Sequence, residues 1–260
     1  MKGLMVTATV LLLSLREGAS GADQRIIGGY QTTIEKFPYQ AWLIVVSEKS
    51  YYRECGGSVL NEKYVLTSAV CGQGYLWGDS VYARCGFTNG AESTENSPYI
   101  KGQLKTHPKF NPNTMDYDCG VVELEENLKL NGKTIAPVTL AKVGTELKAG
   151  TKLVVAGWGY TNNKGDYSQN LQAAKVVVQR YGICIRYAKD LTMRMGCVEG
   201  QGENPCTGDF GGALVMEDTK EQVGIASFAS IKGRCDKYPV VFTNTTNGEI
   251  RDWIKKVSGV

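Results

Sequence analysis

Proton transfer near neutral pH most often uses an imidazole. This chain of 260 residues has one histidine, His107. Any hydroxyl nucleophile activated by an imidazole would therefore depend on His107 alone. Eight cysteines supply a second kind of chemistry. The even number suits a disulfide frame, provided the chain is exported. A third feature is Asn244-Thr245-Thr246, an acceptor sequence for an N-linked sugar. It lies where the last strand is expected to approach a C-terminal helix. No metal site and no cofactor are expected.

A folded body is expected to follow a leader. Residues 1–20 read as a secretory signal: Lys2 gives a positive start, residues 4–15 are mostly apolar, and the small residues Ala19, Ser20, Gly21 and Ala22 follow. The apolar run is too short for a bilayer, which needs about 20 residues. No later stretch resembles a membrane span, so a secreted, extracellular protein without membrane contact is expected. The formal net charge is +3, and removing residues 1–25 takes away Lys2, Arg16 and Arg25 against Glu17 and Asp23, leaving +2. So small a bias gives no basis for nucleic-acid binding.

Short β-like runs fill the body, among them 41–46, 63–67, 81–85, 153–156, 174–178 and 222–227. Segments rich in Gly, Asn, Ser and Pro separate them, as at 86–97 and 159–168. This pattern predicts an all-β sandwich or pair of barrels. One helix is predicted at the C-terminus. Ile250, Trp253, Ile254 and Val257 recur at i, i+3, i+4 and i+7, with Asn247 as N-cap. Trp253 on that stripe is expected in the core.

Several motifs occur in a fixed order: Arg25-Ile26-Ile27-Gly28-Gly29, Cys55-Gly56-Gly57-Ser58, Leu66-Thr67-Ser68-Ala69-Val70-Cys71, His107-Pro108-Lys109-Phe110, Ala156-Gly157-Trp158-Gly159 and Gly208-Asp209-Phe210-Gly211-Gly212. Together they resemble the trypsin-like serine proteases over roughly residues 26–258. The resemblance implies two six-stranded antiparallel β-barrels with a cleft between them and a C-terminal α-helix. It also implies a short propeptide at 21–25 and one domain at 26–260. Bridges Cys55–Cys71, Cys184–Cys197 and Cys206–Cys235 are implied. Cys85 and Cys119 remain; parity suggests a fourth bridge, and two buried free thiols are the alternative.

Acyl transfer in that family needs a hydroxyl, an imidazole and an orienting carboxylate. Asp118 matches the carboxylate. Val70 stands where the resemblance places the histidine, and Phe210 stands where it places the serine. His107 falls where the family has a structural histidine. Losing the nucleophile or base alone costs about 10⁶ in turnover in a related case. Asn204 takes the floor of the specificity pocket, Val240 replaces a wall glycine, and Ala229 replaces another glycine. Ser227 matches the serine that bonds the triad carboxylate. Cleavage after Arg25 would free the Ile26 amine to pair with Asp209.

The replaced histidine and serine, the Ile-Ile-Gly-Gly-Tyr start and the cysteine set closely resemble the scabies mite inactivated serine protease paralogues, related to mite group 3 allergens. That likeness implies a monomeric secreted protein without protease activity, which binds host proteins and inhibits complement. Two other readings stand beside it. One is an unconventional hydrolase using Thr207 or Ser68, neither of which has a histidine partner. The other is a decoy for inhibitors of active relatives, which a narrowed pocket disfavours. The loops at 86–97 and 161–168 are the candidate contact surfaces.

Overall fold

The computed structural model describes residues 29–46, 52–72, 80–160, 167–202, 204–229, 235 and 237–260. The expected leader at 1–20, Arg25, Ile26 and most of the 161–168 loop lie outside the described residues.

Alternation along the strands builds the first barrel. In β2 (Gln40–Val46), Ala41, Leu43 and Val45 point inward and are buried. Period-two geometry sends Trp42 outward, where its ring stacks on Trp158 at 6.0 Å. The barrel continues through β3 (Tyr52–Val59), β4 (Tyr64–Thr67), β5 (Ser80–Cys85), β6 (Ile100–Thr106) and β7 (Gly120–Leu124). It closes in the order β2-β3-β4-β7-β6-β5, every pair antiparallel. Closure removes the exposed edges that an open sheet would present. A short pair, β1 (Tyr30–Gln31), adds to the other barrel.

The second barrel uses β9 (Lys152–Gly157), β10 (Gln172–Val178), β11 (Met195–Glu199), β12 (Ala213–Met216), β13 (Glu221–Ala229) and β14 (Val240–Asn244). The ring β9-β10-β11-β14-β13-β12 closes because β12 and β10 both pair β9. A further strand, β8 (Thr139–Leu140), runs parallel to β13. All six strand runs expected from the sequence are strands.

Two α-helices complete the fold: α1 (Tyr181–Tyr187) and α2 (Gly248–Ser258). The Asn247 side chain accepts from the Glu249 and Ile250 N–H groups, and Gly259 ends the helix in the left-handed conformation at φ 80°. Ile250 and Ile254 are fully buried; Trp253 and Val257 pack on the same cluster. The apolar stripe therefore seats α2 against residues from both barrels. No helix among the described residues is long and apolar enough to cross a membrane.

Three disulfides form as expected: Cys55–Cys71, Cys184–Cys197 and Cys206–Cys235. The fourth pairing is corrected. Cys85 and Cys119 are both free and buried. Cys85 belongs to the interior of the first barrel, whereas Cys119 belongs to the cluster between the barrels. Parity cannot see that difference. Burial pushes the Cys85 thiol up to about 12 and the Cys119 thiol well above its usual range, helped by the neighbouring Asp118 charge. Neither is a reactive thiolate at neutral pH.

Candidate functional site

The cleft lies where the barrels meet. From the first barrel come Asp118, just ahead of β7, and Val70, in the 3₁₀ turn Ala69–Gly72 after β4. From the second come Thr207, Gly208 and Phe210, ahead of β12, and Ser227 and Phe228 on β13. A cavity of about 280 Å³ is lined by these second-barrel residues with Arg53, Val70 and Met115. The Gly56 N–H donates to the Phe210 carbonyl at 2.8 Å and fastens the two halves. Gly211 sits at φ +91°, which favours glycine, and any side chain there would collide with Thr67 Oγ1 and the Gly56 carbonyl.

Asp118 is fully buried, and its backbone carbonyl accepts from Thr243 Oγ1 of β14 at 2.8 Å. Ser68 Oγ donates to Oδ2 at 2.5 Å, Ser227 Oγ also donates to Oδ2, and the Val70 N–H donates to Oδ1 at 2.7 Å. Burial pushes the carboxyl up to about 6, and these donors pull against it. Ser227 was foreseen from the resemblance as a partner. Ser68, a hydroxyl beside Val70 in the sequence, is a donor to the carboxylate that no motif marks. Ser68 and Asp118 are 50 apart in sequence, so only the fold brings them together. Ser68→Ala should cost about 1–3 kcal/mol, because a charged acceptor loses a buried donor. Urea unfolding at neutral pH checks this.

Val70 has no proton-accepting atom, and its carbonyl accepts from Arg53 Nη1 at 2.6 Å. Phe210 is partly buried and packs against the core cluster that contains Val198, Val240 and Phe242. Val240 is itself completely buried and pairs with Ala229 across β13 and β14. Asn204 is buried with its amide committed to backbone. Nδ2 donates to the Cys235 carbonyl at 2.8 Å, and Oδ1 accepts from the Gly200 N–H at 3.0 Å. Glu54 also lines the cleft, and burial pushes it up to about 7. No motif drew attention to it.

The sole histidine lies elsewhere. His107 stacks on Tyr117 at 4.6 Å and lies 5.0 Å from Trp253, between the first barrel and α2. Its Nδ1 accepts from the Lys109 N–H at 3.1 Å. Burial and the Lys109 charge hold it below the usual imidazole range.

Asp209 is fully buried. Its oxygens accept from the Gly159 N–H at 2.8 Å and the Cys206 N–H at 3.0 Å. A Cβ at Gly159 would come within 2.5 Å of this carboxyl, which explains the glycine in Gly157-Trp158-Gly159. Burial pushes Asp209 up to about 7 against those two donors. Arg25 and Ile26 lie outside the described residues.

A tie across the cleft edge escaped the sequence reading. Asp116 accepts from Arg194 Nε at 2.9 Å, from Arg194 Nη2 at 2.6 Å and from Thr192 Oγ1 at 2.9 Å. It holds the turn in which Met115 and Tyr117 adopt positive φ, 61° and 55°. Of the candidate loops, 86–97 is exposed only at 91–96. Buried Arg84 gathers the carbonyls of Gly90, Glu92 and Ser97 and pins the rest. Among the described residues no cluster of His, Cys, Asp and Glu could hold a metal ion.

The trypsin family model matches residues 26–254. Trypsin 5G1 of Aedes aegypti is 31% identical, covering 99% of this chain and 98% of its own length. Trypsin of Simulium vittatum is 33% identical, covering 86% and 90%. The crystal structure of scabies mite inactivated protease paralogue S-D1 superposes with a TM-score of 0.78 at 27% identity, covering 90% of this chain and 98% of that one. The chain belongs to the trypsin family.

Proposed function

We propose that this chain is a secreted, catalytically inactive member of the trypsin family that acts by binding other proteins, with host complement components as its partners. One observation carries the inactivity. The buried Asp118 carboxylate is present, and the side chains beside it in the cleft are Val70 and Phe210. Neither can accept a proton or attack a carbonyl, so two of the three roles in acyl transfer have no group to fill them. The inactivated name of a solved structural relative is in keeping with this.

A rigid pair of barrels presenting loops is a ready platform for recognition. The choice of complement rests on the residue-level likeness to the scabies mite inactivated paralogues. Immobilised protein should retain a complement component from host serum and reduce lysis in a haemolytic assay. Serum passing through with no component retained, and lysis unchanged, would contradict it. A second reading, an unconventional hydrolase, has one observation in its favour: the Thr207 hydroxyl lines the cleft.

A further inference from the structure

Away from the cleft, the second barrel carries an open depression of about 480 Å³ beside α1. Its lining includes Val143, Leu147, Tyr181, Leu191, Met195 and Phe242. Val143 and Tyr181 are 54% and 52% exposed. An apolar hollow with exposed apolar edges is a place where a secreted protein would self-associate, unless something covers it.

Asn244 lines the same depression. It begins Asn244-Thr245-Thr246, the only Asn-X-Ser/Thr triplet in the 260 residues that could accept a sugar. Asn244 ends β14 and is partly exposed. Its Oδ1 accepts from the Thr246 N–H at 2.9 Å and from Thr246 Oγ1 at 2.8 Å. That fixes the carboxamide by its oxygen. Among the described residues nothing accepts from Nδ2, so the nitrogen is left for another bond.

We propose that Asn244 carries an N-linked glycan whose first sugars lie over this depression and cover its apolar wall. The Asn244 nitrogen forms a bond to C1 of the N-acetylglucosamine that heads a lipid-diphosphate-linked oligosaccharide. The bond from C1 to the diphosphate oxygen breaks, the nitrogen gives up one proton, and the lipid diphosphate leaves. No oxidant or reductant is required. Sugar rings offer an apolar C–H face to the exposed Tyr181 and Val143 and a polar face to water. The covered face is thereby removed from the surfaces open to a protein partner. The proposal rests on export through the secretory route and not on the identity of the partner.

The test uses the full chain with its own leader, expressed in insect cells and collected from the medium. Peptide N-glycosidase should collapse a diffuse band to a sharp, faster one. It should also convert Asn244 to Asp in the tryptic peptide 238–251, read by mass. Asn244→Gln should abolish the shift, while Thr246→Ser should keep it. Enzymatic removal of the glycan from the folded wild-type protein should raise binding of an apolar dye, a readout independent of whether a variant folds. Secreted protein with unmodified Asn244 would overturn the proposal while leaving export intact. Unmodified chain found only inside the cell would overturn both. A glycan whose removal leaves dye binding unchanged would overturn the covering role.

Discussion

Cleavage after Arg25 is expected to raise the free energy of unfolding at pH 7 by on the order of 4 kcal/mol, and it is not expected to bring activity. Burial pushes the Asp209 carboxyl up to about 7, opposed by the Cys206 and Gly159 N–H groups. An unfolded aspartate titrates near 3.9. A folded value above the unfolded one means that the stabilising contribution is complete below about pH 4 and is lost as pH rises through 7. At neutral pH the uncleaved fold therefore holds a half-protonated buried carboxyl that the unfolded chain would ionise freely, and this costs stability.

A new amine at Ile26 that paired with Asp209 would remove that cost, since one partner without the other is worth about 3–5 kcal/mol. The cleaved protein should thus be nearly flat between pH 4 and 7, where the uncleaved protein declines. Urea midpoints of the two forms across that range check it. Equal midpoints at pH 7 would mean that Ile26 does not reach Asp209.

Asp118→Ala should destabilise the fold by about 3–5 kcal/mol, while Asp118→Asn should cost about 1 kcal/mol or less. Alanine leaves three buried donors, Ser68 Oγ, Ser227 Oγ and the Val70 N–H, without their acceptor. Asparagine keeps an acceptor for the Val70 N–H, and its amide can donate to hydroxyls that rotate to receive it. The pH dependence separates the two further. Asp118 is pushed up to about 6 by burial, against its hydroxyl and backbone donors. Its contribution is complete below about pH 4 and is lost as pH rises through 6. Asp118→Asn should remove that part of the slope.

In an active serine protease the same Asn substitution lowers turnover by about 10⁴. Here it should leave partner binding unchanged. Denaturation at two pH values, alongside serum binding, distinguishes a structural carboxylate from a functional one.

The barrels were legible because the strand signal is local. Runs such as 41–46 and 153–156 alternate or stay apolar between turn residues, and β2 and β9 follow them within a residue or so. The C-terminal helix was legible for the same reason, with its cap and stripe both on one short segment. The chemistry around Asp118 was legible only in part. Ser227 could be placed by motif, whereas Ser68 gains its meaning from an approach across 50 residues. The Asp116–Arg194 pair spans 78 residues, and no local pattern announces it. Cys85 and Cys119 show the limit of counting, since which core a thiol faces depends on barrel closure.

Whether the cleft can turn over a peptide bond decides between a binding protein and an enzyme. The direct measurement incubates the Arg25-cleaved protein with a covalent serine-hydrolase probe and with broad peptide libraries. No labelling, and no hydrolysis above the uncatalysed rate, is the result expected of a cleft that pairs Asp118 with Val70 and Phe210. Confirmed hydrolysis that Thr207→Ala abolishes would contradict it and make the cleft an active site.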